Sequence, residues 1–79
     1  MTTRWQAELT DTFGGEANYS WVTRETFELP ANATARQIVT TAKAALGLTG
    51  CRCRTFDYGE GFELRPCGSL TVAFVLPCY

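Results

Sequence analysis

The chain of 79 residues contains no histidine, only one lysine and only one methionine. Without imidazole it lacks the usual general base, the side chain that switches charge near neutral pH and the commonest neutral metal ligand. Acid-base catalysis is therefore not expected. Charge of one sign is missing too: 7 basic and 8 acidic residues leave a formal net charge of -1, so no global field draws the chain to nucleic acid or anionic lipid. Long apolar runs are also missing. The longest, Val72 to Leu76, is far short of the roughly 20 residues that span a bilayer. The first eight residues carry no basic stretch followed by an apolar one, so a cytoplasmic chain with reduced thiols is the expectation.

What is present belongs to a folded chain: 46% of residues are hydrophobic, two of them tryptophan. This length holds one domain, residues 1–79, with one small core, and buries only about 60 to 65% of its unfolded surface.

Thr3 to Thr10 alternates Trp5, Ala7 and Leu9 with Arg4, Gln6 and Glu8, the period of a half-buried strand. Asp11 to Asn18 reads as a turn around Gly14-Gly15, with Asp11 and Asn18 able to close local side-chain bonds. Tyr19 to Leu29 is long for one strand, which predicts a bulge near Thr23 to Glu25. Thr34 and Gln37 form a capping-box pattern ahead of a helix from Ala35 to Leu46, ended by Gly47 in the left-handed conformation. Ala35, Ile38, Val39, Ala42, Ala45 and Leu46 make its apolar stripe. Three further strands are predicted at Cys51 to Tyr58, Phe62 to Arg65 and Ser69 to Leu76. The order β-β-α-β-β-β predicts an α+β fold, an antiparallel sheet with one helix packed on one face. The bulkier set of the last strand, Leu70, Val72, Phe74 and Leu76, is expected beneath the helix with Trp5 and Trp21.

That parity leaves five arginines, Arg4, Arg24, Arg52, Arg54 and Arg65, on the open face beside Glu8, Glu28, Glu63 and Phe56. Positive charge interleaved with an aromatic suits single-stranded nucleic acid, and Arg4, Arg24, Arg52, Arg54 and Phe56 are the candidate residues for that reading. The glutamates among them and the slightly negative net charge favour an ordinary cross-strand paired face. A second candidate surface is acidic. Glu25, Glu28, Asp57 and Glu60 are expected to gather in a rim near the helix N-terminus, with Asp11 and Glu16 at the other end.

Cys51, Cys53, Cys67 and Cys78 lack the paired C-x-x-C knuckles of a four-thiolate zinc site, so small buried thiols are expected, with no metal and no cofactor. If the open face stays apolar enough around Val22, Phe56, Ala73 and Val75, it offers a homodimer contact, and strand edges offer another.

The segments Asp11 to Tyr19 with Trp21-Val22, Ala45 to Gly50 and Asp57-Tyr58-Gly59 resemble short proteins encoded by bacteriophages and other mobile elements. That resemblance implies a host-takeover factor, of which anti-CRISPR inhibitors are a populous kind. The expectation is a non-enzymatic protein that binds a host defence protein, a CRISPR-Cas effector subunit above all, with its acidic rim set against a basic DNA-binding surface.

Overall fold

A computed structural model describes residues 1–78. Five strands and one helix follow in the order β1 (Thr2–Phe13), β2 (Glu16–Pro30), α1 (Ala35–Ala45), β3 (Cys53–Asp57), β4 (Phe62–Pro66) and β5 (Thr71–Pro77). The strands form one antiparallel sheet in the spatial order β2-β1-β5-β4-β3. This is the expected α+β fold. Its first and last strands lie side by side in the middle, so β1 is hydrogen-bonded on both edges.

The hairpin turn is tighter than the sequence predicts. Only Gly14 and Gly15 lie outside the strands, both at positive φ where a side chain would be strained. The helix begins where the capping box places it: the Thr34 hydroxyl accepts from the Gln37 N–H at 3.2 Å, and the Gln37 carboxamide oxygen accepts from the Thr34 N–H at 2.8 Å. Gly47, at φ 75°, carries the chain away from its C-terminus.

Ala7, Ile38, Ala42, Leu46, Phe62, Leu64, Ala73 and Val75 form the buried core, with Trp5, Leu9, Phe27 and Leu29 packed against it. The last strand thus presents the opposite side from the one its bulk suggests. Ala73 and Val75 lie under the helix, whereas Leu76 and Leu70 are exposed and Phe74 sits on the open face. The reason is register. Val75 is opposite Ala7, and Ala73 is opposite Leu9, so these residues share the face that Trp5, Ala7 and Leu9 turn to the helix. Ala73 and Val75 are consequently removed from any open-face dimer contact. Trp21, expected beneath the helix, is 45% exposed.

The bulge lies nearer the turn than predicted. β1 and β2 pair regularly from Thr2 and Pro30 to Thr10 and Val22, then resume with Thr12 opposite Ala17. Asn18 to Trp21 is therefore extra length opposite Asp11 alone. This excess bends the hairpin end over the open face, where the Arg65 guanidinium on β4 donates to the Gly15 carbonyl at 2.7 Å. Val72, on that face, is fully buried.

Two substitutions test this packing. Leu64→Ala, at a fully buried position, is expected to cost about 2–5 kcal/mol by leaving a cavity. A Cβ at Gly61 would lie 2.5 Å from the Val75 carbonyl oxygen in the neighbouring strand, so Gly61→Ala must separate β4 from β5. Chemical denaturation should show both variants less stable than the parent. An unchanged midpoint for Gly61→Ala would contradict the β4–β5 approach.

Candidate functional site

The open face is built around one row of residues crossing the whole sheet. Arg24 on β2 stands opposite Glu8 on β1, Glu8 opposite Phe74 on β5, Phe74 opposite Glu63 on β4, and Glu63 opposite Phe56 on β3. The two glutamates flank the central phenylalanine and are bound in matching ways. Glu8 accepts from Arg24 Nε at 2.9 Å and from the Tyr19 hydroxyl at 2.8 Å. Glu63 accepts from Arg65 Nε and from the Tyr58 hydroxyl at 3.1 Å. Each tyrosine donates to a carboxylate, and that bond raises its pKa above the ordinary 10.0, so both phenols remain protonated donors. A third pair, Arg4 with Glu28 at 3.3 Å, lies toward the end of the same face.

This pairing decides the fate of the arginine set. Arg4 and Arg24 are committed to carboxylates, and Arg54 lies 5.8 Å from the centre of the Phe56 ring as a cation–π contact. Arg52 precedes β3 and is exposed. The four candidate arginines therefore do not form one positive surface: of these four, Arg52 and Arg54, at the β3 edge, lack a carboxylate partner among the described residues.

The acidic set is also divided. Glu25 and Glu28 lie on β2 at one edge of the sheet; Asp57 and Glu60 lie at or beyond the end of β3 at the other. Glu25 and Asp57 stand in the same cross-sheet row, yet four strand spacings separate them, about 19 Å. The single rim near the helix N-terminus is thus replaced by two patches. The physical cause is the insertion of β1 and β5 between the edges, which a chain read as successive hairpins does not anticipate. Glu28 is held by Arg4, and Glu16 starts β2 beside the turn.

Asp11 has a structural task. Its carboxylate accepts from the Ser20 hydroxyl at 2.6 Å, the Asn18 amide at 2.9 Å and the Ser20 N–H at 3.0 Å. Beside it the fully buried Thr10 hydroxyl donates to the Trp21 carbonyl at 2.9 Å and accepts from the Tyr19 N–H at 3.0 Å. Together these two side chains satisfy the backbone of the bulge, where Tyr19 adopts φ 56°. The side-chain bonds expected of Asp11 and Asn18 in the turn are made, to each other and to Ser20, at the bulge instead.

Residues that sequence reasoning overlooked as open-face elements are Phe74, Leu76 and Tyr58. Leu76 is 54% exposed and, with Gln6, Glu8, Phe74, Pro77 and Cys78, lines a cavity of about 300 Å³. The cysteines do not converge on a metal site. Cys51 and Cys67 are exposed, Cys53 and Cys78 are half-buried, and no group of three or more His, Cys, Asp or Glu side chains among the described residues is placed to hold an ion. The expectation of buried thiols fails for Cys51 and Cys67 because the stretch before β3 and the turn after β4 lie outside the helix-covered core. Burial pushes the Cys53 thiol above its ordinary pKa, the direction that suppresses nucleophilicity.

The Asp11 cluster gives a pH prediction. Hydrogen bonds from the Ser20 hydroxyl and the Asn18 amide lower its carboxyl to about 2 from an ordinary 3.8. A depressed carboxyl stabilises the fold fully above its unfolded pKa and loses that contribution as pH falls through the folded value. The bulge should therefore loosen between about pH 4 and pH 2, reported by Trp21 fluorescence. Asp11→Asn should lose this step, and an unchanged acid transition in that variant would refute the assignment. Thr10→Val, which leaves the Tyr19 N–H and Trp21 carbonyl without this partner, is expected to cost about 1–3 kcal/mol in a denaturation experiment.

Compared with family models, curated proteins and solved structures, the chain matches none.

Proposed function

We propose that the chain is a non-enzymatic protein-binding module whose open sheet face takes hold of a host defence protein, a CRISPR-Cas effector subunit being the foremost candidate. The observation that carries the protein-binding reading is the internal pairing of that face. Glu8 and Glu63 each hold an arginine and a tyrosine and Glu28 holds Arg4, so three of the arginines on the face are already neutralised and only Arg52 and Arg54, at the β3 edge, are left to meet nucleic-acid phosphates. What the face still offers is a fixed polar lattice around Phe74, Leu76 and Phe56, with Tyr58 66% exposed beside it. Aromatic and apolar anchors surrounded by satisfied polar groups are the features of a protein interface. The cavity bordered by Leu76 and Phe74 is suited to an anchor side chain of the partner.

The choice of a defence protein rests on the resemblance to phage and mobile-element chains. Glu25 at one edge and Asp57 and Glu60 at the other supply negative charge that would steer the module to a basic nucleic-acid surface on such a partner. The absence of histidine supports a role without acid-base catalysis.

The test measures binding to purified CRISPR-Cas effector complexes, with and without their target DNA, alongside phage survival in cells carrying the same system. Leu76→Asp changes an exposed position and should leave the melting transition intact while weakening partner binding by about thirtyfold or more, as loss of an interface anchor does. Arg52→Glu with Arg54→Glu should have little effect. The reading fails if no effector is bound and phage are not protected, or if Leu76→Asp binds as tightly as the parent. Direct, salt-sensitive binding of single-stranded nucleic acid that disappears with Arg52 and Arg54 would replace it with the nucleic-acid reading.

A further inference from the structure

The longest strand of the sheet, β2, is also an edge strand, paired only with β1. Its backbone phase can be read from the end of the ladder. The Ala31 N–H donates to the Met1 carbonyl at 3.1 Å, and hydrogen-bonded pairs recur at every second residue of an antiparallel ladder. Leu29, Phe27, Glu25 and Thr23 therefore direct their N–H and C=O groups to β1, and Glu28, Thr26, Arg24 and Val22 direct theirs outward. The same parity appears across β1, where the Cys78 N–H donates to the Arg4 carbonyl at 2.8 Å, on the side of β5. None of the four outward residues has another backbone bond outside the sheet among the described residues. The bulge at Asn18 to Trp21 and Pro30 bound this regular segment, and no lysine lies within it.

We infer that β2 pairs antiparallel with β2 of a second copy of this chain, with Thr26 on the two-fold axis, to make one ten-stranded sheet. A two-fold axis perpendicular to the sheet brings like faces together, so open-face residues of one copy meet open-face residues of the other. With Thr26 at the centre, Arg24 of each chain stands opposite Glu28 of the second copy. These residues already bind Glu8 and Arg4 within their own chains, at 2.9 Å and 3.3 Å. Each side of the dyad then reads Glu8, Arg24, second-copy Glu28, second-copy Arg4, a row of alternating sign running without a break from one sheet into the next.

Other centres lose this match. A centre at Arg24 sets arginine against arginine, one at Glu25 sets glutamate against glutamate, and one at Phe27 sets Glu28 opposite Thr26 and Arg24 opposite Pro30, so neither charge meets its opposite. The remaining sheet edge, β3, has only 5 residues. Pairing β2 with it would be head-to-tail and would run on into a ring or a filament, whereas the β2–β2 contact closes as a dimer.

Sedimentation velocity over a wide concentration range, with Thr26→Pro as the comparison, tests the pairing. The parent should approach twice the 8.7 kDa of one chain as concentration rises. Thr26→Pro removes an outward N–H that the monomer does not use, so it should stay at the mass of one chain with an unchanged melt. A parent that remains monomeric throughout, or a folded Thr26→Pro variant that still dimerises, overturns the proposal. Thr26→Cys decides the register independently of whether the proline variant folds. Residues paired across the axis are about 5.5 Å apart at Cα, within reach of a disulfide. Mild oxidation should join residue 26 to residue 26 of the second copy, identified by peptide mass. Failure to form that link in the folded variant would refute this register.

Discussion

The position of β1 between β2 and β5 is the constraint on which the rest of the structure depends. Ala7 is fully buried under the helix, with Glu25 opposite on one side and Val75 opposite on the other. Once that register is set, each neighbouring strand has only one face to turn toward α1. Ala73 and Val75 must go inward with Ala7 and Leu9, and Phe62 and Leu64 follow because they pair with Val75 and Ala73. A helix whose buried positions include Ala42 can lie close on a sheet whose centre is Ala7 and Ala73, so the larger side chains of β5 are turned to the other face.

The same inversion creates the candidate site. Phe74 arrives between Glu8 and Glu63, and those carboxylates pair with arginines and tyrosines across the open face. Ion pairs this close to solvent contribute at most about 1 kcal/mol each to stability. Their larger effect is on the field: a face that appears positive from its arginines becomes nearly neutral and keeps apolar contact area around Phe74 and Leu76. The hairpin end contributes to this arrangement as well, since the bend at the Thr10–Asp11 bulge brings the Gly15 carbonyl to Arg65. Bulge, clamp and charge network are thus mechanically connected, although their residues lie far apart in sequence.

Local features with local causes were legible in the residues. The capping box at Thr34 and Gln37, the glycine after the helix, the paired glycines of the hairpin and the element order all depend on neighbours within a few positions. The bulge was legible in kind, because Tyr19 to Leu29 is long for one unbroken strand. Its place was not, since only the pairing of Thr10 with Val22 and Thr12 with Ala17 reveals where the excess lies. The face of β5 was misread for a similar reason. Alternation divides a strand into two sides, but it does not say which side meets the helix when both are apolar.

The sequence by itself determined that this is an α+β chain with one antiparallel sheet, one capped helix, nearly balanced charge and no imidazole chemistry, because composition and short-range periodicity are properties of the chain alone. Tertiary structure decided what the charges do. It separated Glu25 and Glu28 from Asp57 and Glu60 by inserting strands between them, and it placed Arg24 against Glu8 and Arg4 against Glu28. Electrostatic partnership depends on distance in space, and in a sheet that distance is set by strand order and register, which link residues remote in sequence.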